Sequence, residues 1–229
     1  MDKTALVLLS GGLDSATAAA VALDQGFDIT ALTFAYGQRH QVETRFAGGL
    51  VKRFGVRSHL VVDIQPEVFS ATALMSGSSL AIPKNREIDG AEIPVTYVPA
   101  RNILFLSYAL AIAESRGILD IFIGVNAMDY SGYPDCRPEF IESFEAMANI
   151  GTRAGVEGKS FHIHAPLMAM KKSEIIKLGS SLGVDYSLTH SCYDPDPEGF
   201  SCGECDSCLI RKKGFHDAGV PDPTRYRMR

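Results

Sequence analysis

The chain has 229 residues, with 22 basic against 27 acidic side chains and a formal net charge of −5. That length suffices for one large domain, or for one domain with a small appendage. The acidic balance argues against a nucleic-acid-binding surface, no stretch approaches the ~18 apolar residues of a membrane span, and the N-terminus lacks a signal-peptide pattern. The expectation is therefore a cytoplasmic protein with no direct nucleic-acid or membrane partner, whose five cysteines are reduced thiols or metal ligands.

The first predicted element is a strand over residues 4–9, an apolar run of the kind buried on both faces of a sheet. An alanine-rich helix is predicted over 13–23. Between them Ser10, Gly11 and Gly12 must make a tight strand-to-helix turn. Two glycines permit unusual φ values and leave backbone N–H groups uncovered by any Cβ, which makes an anion cradle. The lysine of the G-x-x-x-x-G-K-[ST] phosphate loop is absent, and so is the third glycine of G-x-G-x-x-G. In their place Asp14 offers a carboxylate for Mg²⁺ and Ser15 a hydroxyl for a phosphate oxygen. For a glycine pair alone, an ordinary corner with Asp14 at the helix start is the plainer alternative. The order Ser-Gly-Gly-x-Asp-Ser, however, resembles the pyrophosphate loop of N-type ATP pyrophosphatases. The resemblance implies cleavage of ATP between the α and β phosphates and adenylation of a substrate oxygen.

Further strands are predicted at 28–34, 58–63, 118–125 and 160–165, with helices at 38–54, 102–115, 138–154 and 171–182. Alternation of this kind predicts an α/β fold with a doubly wound, mostly parallel sheet and ligands at the carboxyl ends of its strands. Residues 63–99 lack periodicity and are expected to form a lid or a poorly ordered segment.

Near the end, "HSCYDPDPEGFSCGECDSCLIRKKGF" spaces Cys192, Cys202, Cys205 and Cys208 as C-x9-C-x2-C-x2-C. Four thiolates make a closed tetrahedral site, so one structural zinc ion per chain is expected. The predicted organisation is a catalytic domain over 1–185 and a zinc-binding appendage over 186–229, too small to bury a core of its own. An iron–sulfur cluster is the rival, because C-x2-C-x2-C also occurs in ferredoxins. Such clusters usually have apolar cover, whereas this loop carries Asp194, Asp196, Glu198, Glu204 and Asp206, which favours zinc. Cys136, beside Arg137, is either a stabilised thiolate nucleophile or a small packing residue. Packing is preferred, since adenylation needs no protein nucleophile.

Four more stretches, "FAYGQRHQVE", "YVPARNILFLSYA", "GVNAMDYSGYPDCRPEF" and "APLMAMKKSEI", join the first loop and the cysteines. Together they resemble the 7-cyano-7-deazaguanine synthase family over nearly the whole chain. The resemblance implies an adenine nucleotide α-hydrolase-like fold and an ATP-dependent carbon–nitrogen ligase of queuosine biosynthesis. Such an enzyme converts 7-carboxy-7-deazaguanine and ammonia to the nitrile through adenylated carboxylate and amide, using two Mg²⁺-ATP and releasing AMP and pyrophosphate. It also implies a homodimer. The stretch Leu9, Ser10, Gly11, Gly12, Leu13, Asp14, Ser15 and Ala16 is then assigned to ATP, with Asp14 on the magnesium. Lys172 would add positive charge against the developing phosphate charge. Arg101 would grip a phosphate or the substrate carboxylate. Tyr130, Tyr133 and Asp135 would offer the deazaguanine an aromatic face and an acceptor. Tyr36, Gln38 and His40 follow the second strand and face the site, His40 as a structural group or a base. One departure is visible: Ala100 stands where the family pattern V-P-G-R-N has glycine.

Two rival functions share these motifs. A tRNA-thiolating adenylase with an iron–sulfur cluster would need a basic face, yet the basic clusters at 211–213 and 225–229 are confined to the end. A non-catalytic, zinc-stabilised nucleotide-binding module is disfavoured by the intact Ser10, Asp14, Ser15 and Lys172.

Overall fold

Five short strands alternate with helices along most of the chain. They are β1 (Thr4–Leu8), α1 (Leu13–Asp24), β2 (Asp28–Ala35), α2 (Val42–Arg53), β3 (Ser58–Asp63), α3 (Arg101–Arg116), β4 (Asp120–Phe122), α4 (Pro138–Gly151), α5 (Arg153–Val156), β5 (His162–His164), α6 (Lys172–Ser181) and α7 (Asp206–Ala218). The structure is a computed structural model that describes residues 3–37, 42–69, 72–86, 93–128 and 133–228.

All paired strands run parallel, in the order β3-β2-β1-β4-β5. The chain fills one side of β1 first and then crosses to the other, so the order reverses between β1 and β4. A crevice opens at the carboxyl ends of strands at such a switch point. Period-two alternation sends successive side chains of β1 to opposite faces. Leu6 and Leu8 join a core with Leu106 and Ala109 of α3 and Phe144 of α4. Ala5 and Val7 join a second core with the α1 alanines, Leu50 of α2, Ile175 and Ile176 of α6, and Phe215 of α7. The sheet is therefore covered on both faces, as the apolar run of β1 requires.

Two local differences from the sequence reading have physical causes. The predicted strands over 118–125 and 160–165 pair only as Asp120–Phe122 and His162–His164, because β4 runs into Gly124, where a Cβ would sit 2.8 Å from the Asp14 carbonyl carbon. The helix predicted over 138–154 ends at Gly151. Thr152 is extended (φ −117°, ψ 155°), and its side chain accepts the Gly155 N–H to cap the separate α5, the usual N-cap use of threonine. The first residues of the helix predicted over 38–54 lie outside the described residues. Helix α7 was not predicted at all.

The described part of the 63–99 segment packs rather than frays. Phe69, Ala73, Leu74, Met75, Ile82 and Val98 are buried in the first core. Residue 84 then bridges to Cys205, and Asn85 N–H donates to Glu204 carbonyl oxygen at 2.9 Å. No helix among the described residues is long and apolar enough to cross a membrane.

Candidate active site

Residues 9–16 carry β1 into α1 at the switch point. Gly11 has φ +88°, and a Cβ there would lie 2.5 Å from Glu43 carbonyl oxygen and 2.9 Å from Ala47 nitrogen of α2. Only glycine satisfies both the angle and the close approach. Gly12 is the extended N-cap of α1 and makes no side-chain cap, so the first-turn N–H groups are left to an external acceptor. Ser10 and Ser15 close the turn: Ser10 N–H donates to Ser15 Oγ at 3.2 Å, and Ser15 Oγ donates to Gly12 carbonyl oxygen at 3.0 Å. The result is a rigid, hydroxyl-lined cradle at a helix N-terminus.

Lys172, the first residue of α6, reaches this cradle from the other end of the sequence. Its Nζ donates to both carboxylate oxygens of Asp14 at 2.7 Å. The ammonium is nearly buried, 12% exposed, while the carboxylate is 31% exposed. Lys171 is the N-cap of the same helix, with Glu174 accepting its backbone N–H. The two lysines of "MKKSE" thus divide, one capping and one entering the site. Gly214 of α7 leaves the space that the Lys172 stem fills, since a Cβ there would come within 2.4 Å of Lys172 Cγ.

A cavity of about 290 Å³ opens over the cradle, bounded by Ser10, Asp14, Ser15, Arg101, Tyr133, Lys172 and the stacked Phe34–Phe105 pair. Arg101 begins α3. Burial works against its charge, but Tyr36, Cys136, Tyr133 and Asp135 around it raise its pKa above the ordinary arginine value. Tyr133 Oη lies 3.2 Å from Thr96 Oγ1. Ala100 sits at the α3 N-cap with φ 55°, ψ 22°, the left-handed geometry that glycine takes at no steric cost.

Asp135, expected to read the substrate ring, lies beside the first turn of α3. It is 5% exposed, its Oδ2 accepts Asn102 N–H at 2.9 Å, and its carbonyl accepts Asn102 Nδ2 at 3.0 Å. It is not among the residues that line the cavity. Its carboxylate braces the first turn of α3 and so holds Arg101. Cys136 packs beside it, its thiol pushed up to about 12 by burial, which suits packing and not a thiolate. Tyr130, Gln38 and His40 lie outside the described residues.

Cys192, Cys202, Cys205 and Cys208 place their sulfurs within 4.8 Å of one another, close enough for one tetrahedral ion. Backbone N–H groups of Asp194, Cys202, Glu204 and Cys205 donate to these sulfurs at 3.2–3.4 Å, as bound thiolates require. The donor set fits a metal ion. The segment is interlocked with the rest of the fold: Cys192, Cys205 and Cys208 join the first core, and Phe215 the second. Arg211 of α7 is 3% exposed. It donates to Thr189 Oγ1 at 2.9 Å and Tyr186 carbonyl oxygen at 3.1 Å. One residue on, His190 N–H donates to Gly11 carbonyl oxygen at 2.9 Å, so Arg211 supports the cradle from behind.

Sequence reasoning missed several cavity residues. Glu43 belongs to the quoted "FAYGQRHQVE" stretch but was given no role, and Ser191, Tyr193, Ser207, Ile210 and Arg211 come from the cysteine-rich segment, where none of them was assigned to the site. Asn126, just past β4, donates to the carbonyls of Leu167 and Met170 and fixes the turn that delivers Lys172. An asparagine two residues beyond the glycine of a strand end was the available signal.

Residues 4–219 match the family described as queuosine biosynthesis protein QueC. The chain is 59% identical to the 7-cyano-7-deazaguanine synthase of Desulfatibacillum aliphaticivorans, over 98% of this chain and 97% of that protein. It is 58% identical to the synthase of the same name from Myxococcus xanthus, over 99% and 98%. Among solved structures it is similar to NMN synthetase from Francisella tularensis, with TM-score 0.51, 21% identity, and 96% of this chain and 78% of that one covered. A 4-thiouridine synthetase, solved with RNA and bound ATP, gives TM-score 0.54 at 17% identity, covering 98% and 47%. These two likenesses show the fold alone.

Proposed function

The chain belongs to the queuosine biosynthesis protein QueC family, and from that membership we propose that it is an ATP-dependent carbon–nitrogen ligase. It converts 7-carboxy-7-deazaguanine and ammonia to 7-cyano-7-deazaguanine. The observation that carries the reading is the convergence of the 10–15 cradle, the Asp14–Lys172 pair and Arg101 on one cavity.

A carboxylate resists ammonia because its oxygen is a poor leaving group, and adenylation corrects this. The substrate carboxylate oxygen attacks the α phosphorus of ATP and pyrophosphate departs. The open N–H groups of the cradle with Ser10 and Ser15 receive the pyrophosphate. Asp14 would hold Mg²⁺, which supplies charge neutralisation on the phosphates when bound. Lys172, already within 2.7 Å of Asp14, stabilises negative charge on the phosphate oxygens in a nearly dry setting. Arg101 holds the substrate carboxylate toward the nucleotide through its fork. Ammonia then attacks the acyl carbon, AMP leaves and a proton is lost, giving the amide. The amide oxygen then attacks the α phosphorus of a second ATP; pyrophosphate departs and one N–H proton is lost, and loss of AMP with the remaining N–H proton leaves the nitrile.

The four cysteines hold one zinc ion with a structural role, and residues 186–229 act as a metal-dependent brace for the 1–185 domain. The protein works in the cytoplasm as a homodimer; exposed Met147 and Ile150 on α4 (43% and 80% exposed) are in keeping with a partner. The test is turnover of 7-carboxy-7-deazaguanine with ammonium, ATP and Mg²⁺, following AMP, pyrophosphate and the nitrile by mass. Two AMP per nitrile is the expected ratio. No AMP above the substrate-free rate would overturn the reading.

A further inference from the structure

Two hydroxyls of the cradle have no proton to spare. A hydroxyl has one proton to give and two lone pairs with which to accept. Ser15 Oγ gives its proton to Gly12 carbonyl oxygen at 3.0 Å. Ser10 Oγ lies 3.1 Å from Ser15 Oγ and accepts Gly12 N–H at 3.3 Å, so its own proton is left to Ser15. Either serine must break a bond within the loop before it donates to a phosphate oxygen.

Ser191 lines the same cavity, and its proton is differently placed. Its Oγ accepts from Arg211 Nη1 at 3.3 Å, and among the described residues no acceptor takes its proton. Thr189 supplies the contrast. It accepts from the same Nη1 at 2.9 Å, but its own proton goes to Tyr186 carbonyl oxygen at 2.8 Å. One guanidinium thus serves two hydroxyls, of which only Ser191 keeps a proton to donate. Arg211 cannot turn away: Nε donates to Asp222 at 3.2 Å, Nη2 to Tyr186 carbonyl oxygen at 3.1 Å, and Cζ lies 5.0 Å from the Phe215 ring centre. A fixed donor holds a Ser191 lone pair toward itself and so directs the proton elsewhere. A charged donor also polarises the hydroxyl, which strengthens what it donates in turn.

The main chain sets Ser191 beside the two glycines. His190 N–H donates to Gly11 carbonyl oxygen at 2.9 Å, and His190 carbonyl oxygen lies 3.6 Å from where a Gly12 Cβ would sit. The residue before Ser191 therefore spans both glycines, at the anion-holding end of the cavity.

We propose that Ser191 is a further phosphate-binding residue, donating its hydroxyl to the pyrophosphate end of ATP. The inference rests on the nucleotide half of the reading under Proposed function. A pyrophosphate oxygen is charged, so the bond is of the stronger, charge-assisted kind. AMP lacks the β and γ phosphates and forms no such bond, which supplies a control ligand.

The test compares wild type and Ser191→Ala as purified, metal-containing proteins. Binding of inorganic pyrophosphate and of AMP is measured by calorimetry in the presence of Mg²⁺, alongside metal content. KM for ATP and for 7-carboxy-7-deazaguanine is read from AMP release. Loss of a hydrogen bond to a charged acceptor predicts about a tenfold or greater rise in the pyrophosphate Kd of Ser191→Ala. Its ATP KM should rise in the same direction. Its AMP Kd and ring-substrate KM should stay within about twofold, with metal per chain as in wild type, since neither ligand meets the deleted hydroxyl. An unchanged pyrophosphate Kd overturns the inference. So does an equal rise in the pyrophosphate and AMP Kd values, or a loss of metal, either of which marks a merely structural residue. A rise confined to the ring-substrate KM also overturns it, because the hydroxyl would then serve the ring. A wild type that binds pyrophosphate but releases no AMP with 7-carboxy-7-deazaguanine overturns the functional reading instead, a result distinct from all of these.

Discussion

At the scale of single residues, Asp14 does two things that sequence spacing could only half reveal. Its place after two glycines marked it as a helix-start acid near a phosphate site. Its pairing with a lysine 158 positions away was legible only through resemblance, because no local pattern connects them. Asp14→Asn keeps the shape and an acceptor for Lys172 but removes the charge that places a magnesium ion. Metal placement contributes several kcal/mol to a phosphoryl transition state, so AMP release should fall at least a thousandfold while Tm moves little. Equal losses of Tm and rate would mean that the pair is chiefly structural. Ala100 makes the opposite case. Its αL backbone costs a non-glycine residue about 1–2 kcal/mol, of which glycine's greater freedom in the unfolded chain takes back part. Ala100→Gly should therefore stabilise the protein by roughly 0.5–1 kcal/mol in urea unfolding. Destabilisation would show that the alanine methyl has a packing role.

At the scale of elements, β1, β2, β3, α1 and α3 were legible because burial on one or both sides writes a clear apolar period. Helix α7 was not. Its run Arg211-Lys212-Lys213-Gly214 looks like a solvated, broken segment, yet Arg211 is buried by hydrogen bonds and Gly214 by the stem of Lys172. A buried arginine and a glycine that admits a neighbour are both invisible to hydrophobic periodicity. Nor does periodicity show that the Asp135 carboxylate accepts the Asn102 N–H in the first turn of α3. Gly214→Ala tests the α7–α6 contact directly. In an isolated helix alanine is favoured over glycine by ~1 kcal/mol. Here its Cβ would lie 2.4 Å from Lys172 Cγ, and since the clash is with the stem's near carbons, the side chain must shift to relieve it. We expect AMP release to drop at least tenfold with full metal content, read by steady-state kinetics and metal analysis. Wild-type kinetics would mean that Lys172 finds a second productive path to Asp14.

At the scale of the whole molecule, the cysteine site and the cradle share one support. Arg211 ties α7 to residues 186–189, His190 holds Gly11, Gly214 shelters Lys172, and the 84–86 segment is pinned to the cysteine loop by Arg86 on Asp206 at 3.0 and 3.1 Å. From the sequence, four clustered cysteines announced a metal but not what it holds in place, because spacing encodes a ligand set and not its neighbours. Cys205→Ser separates these ideas. Cys205 is fully buried and is the N-cap of α7, and a serine hydroxyl is a far weaker ligand than a thiolate for a soft-tolerant ion. Structural zinc sites bind with an apparent ~10–16 kcal/mol, as large as the ~5–15 kcal/mol that holds a typical domain together. Weakening the site by even a third of that range should undock α7. The variant is therefore expected to lose metal, melt at a lower temperature and lose AMP release together, and excess zinc should restore all three in part. Asp14→Asn, by contrast, should lose rate alone. A metal-free Cys205→Ser protein with wild-type AMP release would show that α7 stays docked on its own contacts, chiefly Phe215 in the second core and Arg211 beneath the cradle.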